Sequence, residues 1–188
     1  MVSYAREQME STRGQLLIAG PSLLDPNFFR TVVLMIEHGD DGALGLVLNR
    51  PSQTTVGEAT SQLEQLLELD DPLFIGGPVQ PSSLIVLAEF EDAEDAALIA
   101  FDDVGVLASG ASLQEPSGLR RSRAFVGHAG WASGQLDAEI ERGDWILEPA
   151  LREDAFAEQP GDLWQSVLTR KGGDYVLVAR MPTDPSMN

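Results

Sequence analysis

The chain has 188 residues and a formal net charge of −18, because 30 acidic residues outnumber 12 basic ones. This balance argues against nonspecific binding to nucleic acids or anionic membranes, since both are held by clustered Lys and Arg. The absence of cysteine excludes thiol nucleophiles, disulfides and Cys-ligated metal centres.

The N-terminal part of the sequence gives no export or membrane signal. Residues 1–13 mix acidic and basic side chains, and we expect a flexible segment there. The apolar stretch 16–24 is interrupted by Gly20 and Pro21, which makes it a poor signal peptide. No uncharged apolar run reaches the ~18–20 residues that span a bilayer. We therefore expect a cytoplasmic protein without a membrane partner.

Short elements alternate along the rest of the chain, separated by Gly, Pro and Asp clusters. The predicted strands are 15–19, 31–37, 43–49, 73–77, 84–90, 97–101, 104–108, 124–130, 144–149 and 174–180. The predicted helices are 56–69, 111–119, 134–142 and one that begins at Pro160. We find no linker that would divide residues 14–181, so they are predicted to form a single domain, followed by a tail at 182–188.

Strands 31–37 and 43–49 are predicted to form a hairpin. Both are apolar at successive positions, which indicates burial on both faces of a covered sheet. If residues 39–42 are the loop, facing residues have numbers that sum to about 81, and Ile36 faces Gly45.

The open end of this hairpin is a candidate ligand site. Arg30, Asn49 and Arg50 come together there, and two arginines flanking an asparagine could bind an anion. The alternative, which the sequence favours, is a structural pairing of these arginines with Asp25 or Glu58.

Helix signals flank several of the apolar runs. Thr55 and Glu58 fit a capping box at the start of the helix 56–69, and Ser133 is expected to cap the helix 134–142. The helix from Pro160 is expected to end at Gly172-Gly173, in agreement with the preference for Pro first and Gly last.

Two charged clusters can each be interpreted either as solvent-exposed surface or as a binding site. The acidic run formed by Glu89 and residues 91–95 is interpreted as a solvated loop, with a metal site as the alternative. Arg120, Arg121 and Arg123 are interpreted as a solvated turn, with a nucleic-acid site as the alternative.

The two histidines are the natural candidates for acid–base chemistry. His38 follows Glu37 at a strand end, where neighbours point to opposite faces, so it is predicted to flank a turn. His128 lies in a Gly-rich bend, where a binding role and a structural role both remain open, with the structural role favoured.

Motifs for known chemistry are missing from the chain. There is no P-loop, no nucleophile elbow and no dinucleotide fingerprint, and the single lysine, Lys171, lies near the C-terminus. We therefore assign no catalytic residue, no metal site and no cofactor. The candidate ligand-binding residues are Arg30, Asn49, Arg50, Gly76, Gly77 and His128.

Three blocks of sequence resemble the AlgH/YqgE family: GQLLIAGPSLLDPNFFRTVVLMIEHGDDGALGLVLNRP at 14–51, FIGGPV at 74–79 and FVGHAGWASGQLDAEIERGDW at 125–145. The resemblance implies an α+β fold with a curled, barrel-like, mostly antiparallel mixed sheet flanked by short helices. It supplies no catalytic residues. His128 stands where the family leads us to expect Tyr, which puts an essential imidazole in doubt.

The resemblance leaves the biochemical function open, although family members are labelled transcriptional regulators. The lack of catalytic motifs favours a non-catalytic protein that binds a small anionic ligand or a protein partner. A hydrolase or transferase acting on a small anionic substrate is the alternative. Direct DNA binding is the weakest hypothesis, because of the charge and the absence of a recognisable helix-turn-helix. The sequence does not indicate an oligomeric state.

Overall fold

A computed structural model describes residues 10–60, 64, 66–107 and 118–184. The strands are β1 Gln15–Ala19, β2 Val32–Gly39, β3 Gly42–Val47, β4 Pro51–Thr55, β5 Pro72–Ile75, β6 Val79–Phe90, β7 Ala96–Phe101, β8 Val104–Leu107, β9 Leu119–Ala132 and β10 Trp145–Pro149. The helices are α1 Val56–Ala59, α2 Gln135–Glu141, α3 Arg152–Ala155, α4 Leu163–Lys171 and α5 Tyr175–Ala179. None of the helices in these ranges is long and apolar enough to cross a membrane.

The ten strands form one curled sheet. Eight of them run in the order β10-β1-β2-β3-β9-β6-β8-β7, and β4 pairs with β5 beside this row. The pairing of β5 with β9 is parallel, and the other pairings of the described strands are antiparallel. Arg13 Nε donates to the Ile99 carbonyl at 2.7 Å, so the curl returns β7 to the start of β1. The predicted α+β class is confirmed, with a sheet that curls without closing.

The sheet is covered on both faces, as the unbroken apolar runs predict. In β1, Leu16 and Ile18 join a hydrophobic cluster that includes residues of α3, α4 and α5. Leu17 and Ala19 join a second cluster, on the other face, that includes Leu136 of α2. Strands β2 and β3 divide their side chains between the same two clusters, because successive residues point to opposite faces.

The predicted hairpin is confirmed, but its register is correct only near the turn. Glu37 faces Leu44, as predicted, whereas Met35 and not Ile36 faces Gly45. A bulge at Ile36 inserts one extra residue into β2. The pairs that lie farther from the turn than this bulge are therefore shifted by one residue from the predicted register.

The capping box of α1 is confirmed, but the predicted helix to residue 69 is wrong. The Thr55 side chain accepts from the Glu58 amide, and the Glu58 side chain accepts from the Thr55 amide. The helix ends at Ala59, and the Gly57 amide donates to the Leu69 carbonyl at 2.9 Å. Residue 69 therefore lies alongside the first turn, which a continuous helix could not allow. Residues 61–63 and 65 of this prediction lie outside the described residues.

The strand predicted at 124–130 is part of β9, whereas the bend predicted at its glycines is wrong, because β9 continues through Gly127 and Gly130 to Ala132. Residues 111–117 of the helix predicted at 111–119 lie outside the described residues. Leu119, at the end of that prediction, begins β9.

The predicted cap of α2 is also wrong. The N-cap is Gly134, with a left-handed φ of +70°, one residue after Ser133. Gln135 supplies the polar contact instead, since its side-chain oxygen accepts from the Ala132 amide at 3.0 Å.

The closing segment predicted as a strand, 174–180, is the helix α5. Tyr175, Val178 and Ala179 pack against the core at helical spacing, while Leu177 is 67% exposed. The left-handed backbone of Gly172 and Gly173 turns the chain from α4 into α5. The β-branched composition of this segment was therefore overridden by packing on α4.

Candidate functional site

The open end of the β2–β3 hairpin holds a pocket of about 200 Å³. We call it the hairpin-end pocket, and it is lined by Pro26, Asn27, Val47, Arg50, Ile75, Gly77 and Pro78. Three stretches of chain supply these residues: the loop before β2, the end of β3 with the residues that follow it, and the end of β5 with the residues that follow it.

Backbone hydrogen bonds hold two of these stretches together. The Ile75 amide donates to the Arg50 carbonyl at 2.8 Å, and the Val47 amide donates to the Gly76 carbonyl at 2.8 Å. On the other side, the Gly76 amide donates to the Val126 carbonyl at 2.9 Å. The segment after β5 is thus fixed between the end of β3 and the centre of β9.

The structure brings the two Gly-rich segments together, but they pack against each other. A Cβ atom on Gly76 would lie 2.3 Å from the Gly127 carbonyl oxygen, and one on Gly77 would lie 2.2 Å from the His128 carbonyl carbon. Both positions therefore require glycine for close backbone approach. Of the two, Gly77 lines the hairpin-end pocket.

Arg50 is the cation of the pocket. It is half-buried, and its Nη2 donates to the Phe29 carbonyl at 2.6 Å. Among the described residues, no carboxylate lies within ion-pair distance of its guanidinium. The expected partners are engaged elsewhere, because Asp25 accepts from the Asn27 amide and Glu58 from the Thr55 amide.

Arg30 and Asn49 do not line the pocket. The Arg30 guanidinium lies 4.6 Å from the Trp164 ring centroid and donates to the carbonyl groups of residues 181–182. The Asn49 side chain accepts from the Val32 amide at 3.0 Å and donates to the Arg30 carbonyl at 2.9 Å. Both residues are occupied in holding the chain together.

His128 lies on β9 opposite Val79, outside the lining of the pocket. Burial lowers the pKa of the His128 imidazole below its usual value, which favours the neutral ring. Within the described ranges, the His128 ring makes no hydrogen bond. The sequence-predicted site residues are thus divided: Arg50 and Gly77 meet at the pocket, whereas the others do not line it.

His38 lies in a Thr–His–Asp arrangement that superficially resembles a catalytic triad. Its Nδ1 is 3.0 Å from Thr12 Oγ1, and its Nε2 is 3.3 Å from Asp137 Oδ1. However, Nδ1 also accepts from the Thr12 amide at 3.1 Å, so its lone pair is already used. Thr12 is only 2% exposed, and its hydroxyl is therefore closed to a substrate. The arrangement ties residue 12 to β2 and α2, which favours the structural role predicted for His38.

A second charged region, which we call the charge cluster, consists of Glu89, Asp103, Arg120, Arg121 and Arg152. Arg121 Nε is 2.6 Å from Glu89 Oε2, and Arg120 Nη1 is 3.0 Å from Asp103 Oδ2. Arg152 Nε is 2.7 Å from Asp103 Oδ1, and this hydrogen bond holds the pKa of the Asp103 carboxyl below its usual value. Two predictions are corrected here: Glu89 is buried on β6, and Arg120 and Arg121 are ion-paired side chains of β9. Arg123, also on β9, donates to the Ala157 carbonyl at 3.0 Å and lies over the Phe74 ring.

The rest of the acidic run is exposed, as its interpretation as a solvated loop predicts. Glu91, Asp92 and Glu94 are exposed. Over the described ranges, no group of three or more His, Asp or Glu side chains is placed to hold a metal ion.

Two larger depressions on the surface border cations that are paired with carboxylates. One of about 430 Å³ borders Arg120 and Arg121, which pair with carboxylates of the charge cluster. Another of about 440 Å³ borders Lys171, whose Nζ lies 3.2 Å from Glu148 Oε2. The hairpin-end pocket is smaller, and its guanidinium has no carboxylate partner within the described ranges.

Sequence reasoning missed the aromatic cluster that fixes the loop at 20–31. The Phe28 ring centroid lies 5.6 Å from that of Trp145 and 6.3 Å from that of Trp131. Both indole N–H groups donate to Glu139 Oε2, at 2.8 and 2.9 Å. No sequence spacing indicates this cluster, since its members come from a loop, two strands and a helix.

Comparison with known proteins gives consistent matches along the whole fold. A family model described as AlgH-like matches residues 16–176. A UPF0301 protein of Chlorobaculum tepidum is 39% identical over 93% of this chain and 95% of its own. A UPF0301 protein of Thermobifida fusca is 39% identical over 95% of this chain and 96% of its own.

Two solved structures share the fold. The crystal structure of a Corynebacterium diphtheriae protein matches with a TM-score of 0.81 and 31% identity, covering 94% of this chain and 96% of that one. The solution structure of the AlgH protein from Pseudomonas aeruginosa matches with a TM-score of 0.71 and 28% identity, covering 95% and 98%.

Proposed function

The chain belongs to the AlgH-like family, and on that premise we propose that it is a non-catalytic binding protein whose hairpin-end pocket holds a small anionic ligand. One observation carries the proposal. In a protein with a net charge of −18, the Arg50 guanidinium lines a pocket without a carboxylate partner among the described residues. A guanidinium has five N–H donors, and the bond to the Phe29 carbonyl uses one of them.

The composition of the wall supports binding over catalysis. Apart from Arg50, the described residues that line the pocket are Pro26, Asn27, Val47, Ile75, Gly77 and Pro78. None of these side chains is a nucleophile or a general base, which acyl transfer and hydrolysis require. The arrangement supports an anion held by a fixed cation.

A regulatory role for the family is compatible with this proposal if regulation acts through the ligand or a protein partner. The charge cluster supports that form of regulation over direct DNA contact, because Arg120 and Arg121 are committed to carboxylates. Phosphate contacts on DNA require cations that are free to exchange partners.

We place this role in the cytoplasm. The support is that the apolar stretch 16–24, a poor signal peptide by its sequence, begins within β1, which pairs with both β2 and β10. Leu16 and Leu17 of this strand are 0% exposed.

The proposal is tested by measuring ligand binding with and without the pocket cation. The full chain, labelled with ¹⁵N, is titrated with acetate, benzoate, inorganic phosphate and a nucleoside monophosphate while backbone amide shifts are followed. We expect one class of anion to shift the amides of Gly76 and Gly77. R50M should weaken that binding about tenfold or more, because charge-assisted hydrogen bonds contribute about 1.5–3 kcal/mol.

R142M is the matched control. Arg142 lies at the end of α2, is mostly exposed, and pairs with Asp144 at 2.6 Å, so its loss removes the same charge away from the pocket. R142M should bind as the wild type does. The proposal fails if no anion shifts the pocket amides, or if R50M and R142M bind equally well.

A further inference from the structure

We infer that the ligand of the hairpin-end pocket is a monocarboxylate that carries a short apolar group. This inference rests on the proposed function and adds the chemical class of the ligand. It follows from the number of cations in the pocket, the character of the wall and the size of the cavity.

The number of cationic side chains that line the pocket favours a ligand with a single negative charge. Arg50 is the one cationic side chain among the described residues that line it. A planar guanidinium pairs with a planar carboxylate through two parallel N–H···O bonds, and such a pair can form beside the existing bond to Phe29. A phosphate dianion carries two charges against the single cation of the described wall, and the net charge of −18 repels multiply charged anions.

The rest of the wall favours an apolar substituent. Val47 is 1% exposed, whereas Ile75 is 48% exposed despite its position in an apolar strand. Pro26 and Pro78 complete a rim that has no charge. An alkyl or aryl group that covers Ile75 removes apolar surface from water, which favours binding.

The size of the cavity keeps the ligand small. At about 200 Å³, it lies below the ~300–1,000 Å³ range of pockets that enclose drug-sized ligands. A branched or aromatic acid of a few carbons fits this space, and so does the terminal residue of a peptide with a free carboxylate. Both sources present the same chemistry to Arg50 and Ile75.

The test compares ligands that differ in one group at a time. The ¹⁵N-labelled full chain is titrated with acetate, 3-methylbutanoate, benzoate and inorganic phosphate, and with a blocked tripeptide ending in valine, as free acid and as amide. We expect 3-methylbutanoate or benzoate to bind about tenfold more tightly than acetate, because the added carbons cover apolar wall. Phosphate should bind at least tenfold more weakly than these acids. A free-acid peptide that binds when its amide does not identifies a chain terminus as the source and also supports the inference.

Three variants separate the contributions. R50M should weaken carboxylate binding about tenfold or more, and R50K should recover part of that loss, because Lys keeps the charge but lacks the planar fork. I75A should reduce the preference for 3-methylbutanoate over acetate while acetate binding stays within about twofold of wild type. Because Ile75 is exposed, this variant is expected to fold.

The possible failures are distinguishable. Phosphate binding at Gly76 and Gly77 with an affinity equal to that of the acids, and loss of that binding in R50M, overturns the carboxylate class and leaves the proposed function standing. Equal affinity for acetate and 3-methylbutanoate in the wild type also overturns the class. If none of the probes shifts the pocket amides, both the class and the proposed function fail.

Discussion

At the charge cluster each arginine meets a carboxylate, whereas at the hairpin-end pocket Arg50 donates to the Phe29 carbonyl and meets no carboxylate in the described part of the chain. The two regions also differ in what holds them together. Ion pairs between side chains join β6, the turn between β7 and β8, β9 and α3 at the charge cluster. Around the pocket, backbone hydrogen bonds and close glycine contacts hold the chain segments together.

Within the part of the chain that the structure describes, the difference shows where the fold leaves a cation without a carboxylate partner. Where side-chain charges fix the strands, an arginine is already committed and a ligand would have to displace a carboxylate. Where the backbone fixes the strands, Arg50 has no carboxylate partner among the described residues, and the proposed ligand would bind it without displacing one. Substitutions should therefore affect stability in one region and binding in the other.

The largest expected effect comes from adding one carbon atom beside the pocket. In G76A, the new Cβ would lie 2.3 Å from the Gly127 carbonyl oxygen inside the buried sheet. We expect a loss of about 3 kcal/mol in the free energy of unfolding, because strand backbones would have to separate. Urea denaturation followed by tryptophan fluorescence measures it.

G39A is the matched control for that substitution. A Cβ on Gly39 would meet no atom within 4 Å, so the variant should stay within about 0.5 kcal/mol of wild type. Equal stability of G76A and G39A would show that the pocket is not held by close backbone contact.

A smaller loss is expected when the buried carboxylate of the charge cluster is removed. The Glu89 side chain is 8% exposed and faces Arg120, Arg121 and Arg152. E89Q keeps its shape and removes its charge, and we expect a loss of about 2 kcal/mol. This is less than the ~3–5 kcal/mol for breaking a fully buried pair, since the arginines remain partly hydrated.

The contrast with the pocket is measured in the same experiment. R50M should change the free energy of unfolding by less than about 1 kcal/mol, because it removes one hydrogen bond to a neutral carbonyl. E91Q, two residues beyond Glu89 at an exposed position, controls for the loss of a carboxylate and should be nearly neutral. A larger loss in R50M than in E89Q would reverse the comparison.

The sequence predicted the fold better than it predicted the site. Apolar runs indicated the doubly covered hairpin, and Thr55 with Glu58 indicated the start of α1, because both depend on neighbouring residues. The α5 segment was misassigned because its β-branched residues favour a strand until tertiary packing decides otherwise. At the pocket, Arg50 was predicted from hairpin pairing, whereas Ile75 was not, since an apolar run does not show which residue is left exposed.

The partners of the charged residues were beyond sequence reasoning for a related reason. Glu89 and Arg121 are 32 positions apart and meet because β6 and β9 pair in one register. Because Glu89 precedes an exposed acidic run, the sequence predicts that it is solvated. The pairing of β6 with β9 is what shows that it is buried.

The smallest expected effect is a pH dependence confined to the charge cluster. The hydrogen bond from Arg152 lowers the pKa of Asp103 in the folded chain below its value of 3.8 in the unfolded chain. The unfolded chain therefore binds a proton first as the pH falls. The stabilisation is complete above the unfolded pKa and is lost as the pH falls through the folded one.

D103N removes this titration. The difference in unfolding free energy between wild type and D103N should be constant from about pH 7 to about pH 5 and should shrink below about pH 4. R152Q removes the donor and should show the same reduced dependence, which urea denaturation at each pH measures. Because no carboxylate pairs with Arg50 among the described residues, the difference between wild type and R50M should stay level over this range. Parallel curves for wild type and D103N below pH 4 would show that the Asp103 ion pair does not stabilise the fold, and the distinction between a charge-held and a backbone-held region would then rest on Glu89 alone.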